Sequence, residues 1–375
     1  MPRLVALDLA AGPGFVDALR RAWDAGDAVL PVDPRLPGPA VAALLEAMRP
    51  AAVVDGNGTH RRRGGEPAES GDALVVATSG TTGAPKGVVL THPAVRASAL
   101  ATSARLGVDP GRDRWLACLP LGHIGGLAVV TRALVTGTPC TVLERFDAAA
   151  VEAQAGAGAT LVSLVATALG RTDVSGFRAV LLGGAAPPDR LPANVVTTYG
   201  MTETGSGVVY DGTPIEGVEV RTDAQDGVAE GEVLVRGPML FRGYRDGTDR
   251  RHEDEWFATG DAGRLRPDGT LSVLGRIAEV IVTGGEKVWP EPVERLLATH
   301  PRVSQVAVWR RSDPEWGQRV VAWVVPTDPA VPPALDELAD MVASRLARWA
   351  APRELVVVPA LPRAPGGKPR RSGLR

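Results

Sequence analysis

The chain has 375 residues and 45% hydrophobic side chains, enough for a sizeable interior but too long, by ordinary domain sizes, for a single core. Aromatics supply only 4% of it, so Ala, Val and Leu must do most of the packing. A formal net charge of −2 excludes a global field that would draw nucleic acid or an anionic membrane, so any anion site must be local.

The first residues, MPRLVALDLAAG, have their apolar run broken by Asp8 and lack a signal-peptide layout. No later apolar run is long enough to span a bilayer, so neither export nor membrane insertion is expected. Cys118 and Cys140 lie in apolar stretches without metal-ligand spacing, which predicts buried free thiols and a reducing, cytoplasmic setting. Arg61-Arg62-Arg63 sits among Gly, Asn, Glu and Ser and reads as a solvated loop.

From about Ala73 to Val196, short β-type runs alternate with helix-type segments, as expected of a mainly parallel sheet covered by helices. The clearest strands are 73–78, 179–184 and 195–198. Thr91 followed by His92 and Pro93 marks a helix start, and Ile124 to Leu134 can form a buried helix. From Gly212 to Gly275, glycine-punctuated runs predict hairpins and a small β-rich subdomain without helices. After Arg276 strand-like and helix-like runs mix into a separate α+β unit. Its helix near 335–349 places Leu335, Leu338, Val342, Leu346 and Trp349 on one core-facing stripe.

Of the 41 basic residues, only Lys86, Lys287 and Lys368 are lysine. Against that bias, a surviving compact ammonium points to a role that a planar guanidinium cannot fill. Lys86 ends the densest motif, Thr78-Ser79-Gly80-Thr81-Thr82-Gly83-Ala84-Pro85-Lys86-Gly87, directly after a strong strand. Its glycines let backbone N–H groups approach an anion, and its hydroxyls can donate to phosphoryl oxygens. It is not a Walker loop, because the glycine-to-lysine spacing is absent.

Further motifs follow in order: Gly183-Gly184-Ala185-Ala186, Tyr199-Gly200-Met201-Thr202-Glu203-Thr204, GEVLVRGPMLFRGY over 231–244, Thr259-Gly260-Asp261, GRIAEVIVTGGEKVWP from 275, and Leu361 to Lys368. An aspartate after a tight turn can accept two hydroxyls at once. A lone glutamate supplies the hard oxygen that Mg²⁺ prefers.

Together these segments resemble the adenylate-forming superfamily of acyl-CoA synthetases, luciferases and peptide-synthetase adenylation domains, over about 300 residues. The resemblance implies an α/β fold. A large N-terminal domain, 1–275, would combine a layered α/β sheet with a β-rich subdomain, and a small mobile α+β domain, 276–375, would carry the catalytic lysine. It implies that Thr78 to Gly83 and Lys86 cradle phosphates and that Gly184 and Ala185 lie by adenine. Tyr199 would stack on the base with Gly200 and Met201 beside it, Thr202 would meet the α-phosphate, and Glu203 would hold Mg²⁺. Asp261 would bind the ribose, Arg276 would add a contact near the domain junction, and Gly284 and Gly285 would form the CoA loop. Lys368 would offset charge growing at the reacting phosphorus. Segment 231–244 reads as mainly structural. The usual hinge acid or lysine appears as Ala278, followed by Glu279, a departure that bears on how the hinge behaves.

Leu119 to Leu127 resembles the acyl-pocket segment, with His123 as the substrate contact or gate. SLVATAL at 163–169 and GSGVVYDGTPIEGVEV at 205–220 resemble 2-succinylbenzoate–CoA ligases in their short actinobacterial form, as do the roughly 77 residues before the phosphate loop; Ala166 replaces an expected proline. The implied substrates are that acid, ATP with Mg²⁺, and CoA. The implied pocket includes His123, Ser163, Ser206, Gly207, Val208 and Val209. Adenylation of another acid, a carrier-protein thiol as acceptor, and a noncatalytic nucleotide-binding homologue remain alternatives. Oligomeric state and the role of Lys287 are left open.

Overall fold

The computed structural model describes residues 1–79, 85–188, 190–223, 230–248, 254–362 and 371–374. The chain divides into two compact units, Met1–Val220 with Val235–Ala258, and Arg221–Leu234 with Thr259–Arg375. The boundary expected at 275/276 therefore falls inside the second unit, which also takes in strands expected of the N-terminal domain.

Two seven-stranded sheets build the first unit. One runs in the order Gly243–Tyr244, Pro85–Thr91, Asp72–Ser79, Ala28–Pro31, Leu4–Leu7, Ala52–Asp55, Gly58–Arg61. Leu4–Leu7 pairs in parallel with both its neighbours, and Asp72–Ser79 forms a hairpin with Pro85–Thr91. Ala73, Leu74, Val75 and Val76 are all buried, because a strand covered on both faces needs a continuous apolar run. The sequence reading assigned no strands before residue 73; Leu4–Leu7 and Ala28–Pro31 are too short to show a period.

The other sheet runs Thr213–Pro214, Ser206–Tyr210, Val195–Met201, Ala179–Gly183, Leu161–Val165, Trp115–Ala117, Cys140–Val142. Its core gathers Leu116, Val151, Val162, Leu164, Val180 and Leu182. The helices His92–Leu106 and Ile124–Thr136 pack together. The first starts as the sequence indicates, with the Thr91 hydroxyl accepting from the Ala94 amide at 3.2 Å, and ends at Gly107 in the left-handed region. Gly126 lets the second begin, since a Cβ there would lie 2.4 Å from the Leu119 carbonyl oxygen.

A four-stranded sheet has the order Glu219–Asp223, Glu230–Arg236, Phe257–Leu265, Leu271–Arg276. A five-stranded sheet is built on the long hairpin Val303–Asp313 and Gly317–Pro326, packed by helices Pro290–Leu297 and Leu335–Arg345. The stripe expected on the last helix is only half right. Leu338 and Val342 are fully buried, but the helix stops at Arg345, so Leu346 and Trp349 leave its face and are exposed. Both cysteines are free, and burial pushes the Cys118 thiol up to about 12 and that of Cys140 to about 11. No described helix is long and apolar enough to cross a membrane.

Candidate active site

In the first unit the phosphate-loop motif is carried by the hairpin Asp72–Ser79 and Pro85–Thr91, in which Thr78 lies opposite Lys86. The Thr78 hydroxyl donates to the Lys86 carbonyl at 3.4 Å. Ser79 closes the first strand, while Gly80, Thr81, Thr82 and Gly83 lie outside the described residues. The Lys86 ammonium stands 5.0 Å from the centre of the Tyr244 ring.

Tyr199 to Glu203 occupy the end of Val195–Met201 and the following 3₁₀ turn Thr202–Thr204. The ladder to Ser206–Tyr210 is irregular between Tyr199 and Gly200. A Cβ on Gly200 would meet the Ser206 carbonyl oxygen at 2.1 Å, so only glycine permits that approach. Thr204 is buried and its hydroxyl receives the Met201 amide at 2.9 Å, which fixes the turn carrying Thr202 and Glu203. The Tyr244 hydroxyl donates to Glu203 Oε1 at 2.8 Å. Gly184 follows the strand Ala179–Gly183 with φ of +85°, and Ala185 beside it is exposed.

Among the described residues no three His, Cys, Asp or Glu side chains gather as a metal cage. Mg²⁺ keeps several waters and is bound by one or two carboxylates together with substrate phosphates. Glu203 and the hydroxyl of Thr202 are hard-oxygen donors of that kind.

On the acid side, Ser163 lies in the strand Leu161–Val165 and Ser206 opens Ser206–Tyr210. Ser206 and Gly207 are partly exposed, whereas Val208 and Val209 are buried in the sheet. His123 stands at the start of the helix Ile124–Thr136, half exposed, with Nε2 3.1 Å from Oδ2 of buried Asp33. Asp33 also accepts from Arg35 Nε at 2.9 Å. Although burial alone would raise the Asp33 carboxyl, hydrogen bonds from Arg35 and the charges nearby hold it below the usual range. Gly122 presses on the same loop, since a Cβ there would lie 2.8 Å from Asp33 Cα.

Sequence reasoning missed Arg132, in the middle of that helix. It is 2% exposed, donates from Nη2 to the Ser206 hydroxyl at 3.2 Å, and stacks 4.8 Å from the Trp115 ring centre. Its Nε and Nη1 are buried without a hydrogen-bond partner among the described residues. A small cavity of about 10 Å³ borders it, lined also by Ile124, Ala128, Thr131 and Gly205. Burial lowers the Arg132 pKa, with Tyr210 and Cys140 opposing. A basic residue one helical turn inside an apolar run was the available signal.

In the second unit Asp261 and Arg276 face each other across the ladder between Phe257–Leu265 and Leu271–Arg276. Arg276 Nε lies 2.8 Å from Asp261 Oδ1, and its Nη1 donates to the Thr259 carbonyl at 3.1 Å. Two residues expected on one nucleoside are thus brought into direct contact. Gly284 and Gly285 form the two-residue turn between Ile281–Thr283 and Glu286–Val288, with φ of +58° and +84°. Left-handed conformation at both central positions is what such a hairpin demands. Lys287 follows in the second strand and is exposed.

Lys368 lies outside the described residues, but both flanks are anchored. Leu361 and Leu374 share one apolar cluster with Ala307, Val321 and Trp323. Arg371 pairs with Glu279 and, at 2.7 Å, with Glu294. Burial raises the Glu294 carboxyl, with Arg371 opposing.

The family model described as AMP-binding enzyme matches residues 57–245, and that of the AMP-binding enzyme C-terminal domain matches 292–368. A probable 2-succinylbenzoate–CoA ligase of Mycobacterium tuberculosis is 43% identical over 337 residues, which span 83% of this chain and 86% of that protein. The o-succinylbenzoate CoA synthetase (MenE) of Bacillus subtilis, solved with the acyl-adenylate intermediate OSB-AMP, superposes with a TM-score of 0.88 at 27% identity. It covers 100% of this chain and 88% of its own. The same Bacillus enzyme solved with ATP and a magnesium ion also gives 0.88 at 27% identity, over 99% and 89%.

Proposed function

Because the chain belongs to the AMP-binding enzyme family, whose members form acyl-adenylates, we propose that it is an AMP-forming ligase joining 2-succinylbenzoate to CoA. The relatives named for that reaction support it. The observation of this chain that carries it is Arg132, a buried guanidinium with two unmet donors beside Ser206. The acid has two carboxylates, one that reacts and one that does not. A buried cation needs an anionic partner, and the spare carboxylate supplies it bidentately. A simple monocarboxylic acid would leave the charge unmatched.

In the first half-reaction a carboxylate oxygen attacks the α-phosphorus of ATP and pyrophosphate leaves. In the second, the CoA sulfur attacks the acyl carbonyl and AMP leaves. Lys86 and the hydroxyls of Thr78 to Thr82 hold phosphates, Thr202 meets the α-phosphate, and Tyr199 with Gly184, Ala185, Gly200 and Met201 borders adenine. Asp261, oriented by Arg276, receives the ribose hydroxyls. Glu203 would hold Mg²⁺, which would supply charge neutralisation at the phosphates. Lys368 brings its ammonium to the reacting oxygens, where charge grows in the transition state.

His123, Ser163, Ser206 and Gly207 form the acid pocket with Arg132, while Val208 and Val209, expected there too, belong to the packed interior of the strand that carries Ser206. The functional hinge lies near Arg276, and the Gly284–Gly285 turn serves the CoA path. The site works in the cytoplasm, where CoA and ATP are supplied. Pyrophosphate exchange across a panel of mono- and dicarboxylic acids tests the reading, followed by CoA against a carrier-protein thiol as acceptor. The expected outcome is exchange with 2-succinylbenzoate, bound acyl-AMP by mass, and CoA as acceptor. Preference for a monocarboxylic acid would overturn it.

A further inference from the structure

Segment 231–244 reads as structural in the sequence, yet its last residue touches two groups of the phosphate site. Tyr244 pairs with Val88 in the antiparallel ladder between Gly243–Tyr244 and Pro85–Thr91. Side chains of a strand alternate, so Lys86 lies on the same face as Val88 and diagonal to Tyr244. The ammonium accordingly stands over the ring, at 5.0 Å. From the same ring, the hydroxyl donates to Glu203 Oε1 at 2.8 Å.

Tyr244 has little freedom to do otherwise. It is 9% exposed and meets the Phe241 ring edge-on at 4.9 Å. Phe241, fully buried, contacts Phe257 in the same way, and its amide donates to the Glu203 carbonyl oxygen at 2.8 Å. Residues 241–244 therefore grip Glu203 at its backbone and at one carboxylate oxygen. The Arg245 amide bonds to the Gly87 carbonyl at 2.7 Å, which ties the grip to the strand that bears Lys86.

We propose that Tyr244 is a positioning residue that fixes the Glu203 carboxylate for the divalent cation while its ring seats Lys86 for the phosphates. A carboxylate has two oxygens, and a hydrogen bond to one orients the other toward a metal and restricts its rotation. The same phenol sets the spacing between the metal-binding acid and the phosphate-binding ammonium, so both meet one triphosphate in register. This inference rests on Glu203 being the metal carboxylate.

The test is Mn²⁺ binding, followed by electron paramagnetic resonance, to the full chain with a nonhydrolysable ATP analogue. Four proteins are compared: wild type, Tyr244→Phe, Glu203→Gln and the double variant. Phenylalanine keeps the ring, its packing and its seat for Lys86, and loses only the hydroxyl. Loss of such an outer hydrogen bond typically weakens metal affinity about 10-fold or more. Tyr244→Phe is therefore expected to weaken Mn²⁺ about 10-fold while metal-free affinity for the analogue stays within about 2-fold. Glu203→Gln is expected to weaken Mn²⁺ further, with the second substitution adding little to it.

Unchanged Mn²⁺ affinity in Tyr244→Phe, alongside a loss in Glu203→Gln, would overturn the role of Tyr244 alone. Unchanged affinity in Glu203→Gln would overturn the reading of Glu203 and this inference with it. An equal fall in metal-free analogue binding by Tyr244→Phe would also overturn it, because the hydroxyl would then serve the fold of the site.

Discussion

At Asp261 the carboxylate meets Arg276 across one rung of a ladder, while at Arg132 a guanidinium sits in an apolar wall with two donors unmet. The first pair is locally satisfied and partly solvated, since the Arg276 side chain is 50% exposed. The second is buried, and Ser206, its side-chain hydrogen-bond partner among the described residues, lies 74 residues away. The difference teaches where generic and selective chemistry are kept. On the proposed function, the group that would serve every nucleotide is paired within the protein and offered from a turn, whereas the group that would serve one acid keeps donors for that acid to meet.

The largest break in this comparison should come from Lys368→Ala. Removing one donor aimed at transition-state charge costs about 100-fold to 1,000-fold in rate. Pyrophosphate release should fall by about that factor, while thioester formation from supplied acyl-adenylate stays within about 3-fold. Equal loss in both assays would remove the lysine from the adenylation step.

Arg132→Met separates function from stability. Loss of a buried charge partner costs a bound carboxylate about 2–5 kcal/mol, so kcat/KM for the acid should fall about 100-fold with little change in the KM for ATP. Replacing an unpaired buried charge by an apolar side chain is often neutral or stabilising, so the melting temperature should hold or rise. A lowered melting temperature with an unchanged acid KM would make Arg132 a structural residue.

Asp261→Asn should raise the KM for ATP about 10-fold or more, since a charge-assisted hydrogen bond is worth about 1.5–3 kcal/mol. The acid KM is the control and should not move. The smallest effect belongs to Asp33→Asn, which keeps a polar partner for His123 but loses the charge. A partly exposed pair contributes about 0.2–1 kcal/mol, so the acid KM should change only about 2-fold to 5-fold. A change as large as that of Arg132→Met would place Asp33 and His123 at the centre of acid selection.

Much of this was readable in the chain. The Thr91 cap, the strands at 73–78 and 179–184, and the helix-free stretch from 212 to 275 follow from local rules, and the described residues agree to within a residue at the strand ends. Motif residues such as Tyr199 to Glu203 were legible because a short turn must present several groups in fixed order. The outward turn of Leu346 and Trp349 was not, because the end of a helix depends on what it packs against. Arg132 was hidden for a related reason: its meaning comes from Trp115 and Ser206, which reach it only through the sheet. Tyr244 likewise looked structural until the ladder set it beside Lys86 and Glu203.

The sequence by itself determined the residue types, their order and the backbone freedoms, such as the glycines at 200, 284 and 285, because these depend on near neighbours along the chain. Tertiary structure alone decided which charges are paired and which are left unmet. Pairing depends on distance and desolvation between residues far apart in sequence, and neither exists before the sheets assemble.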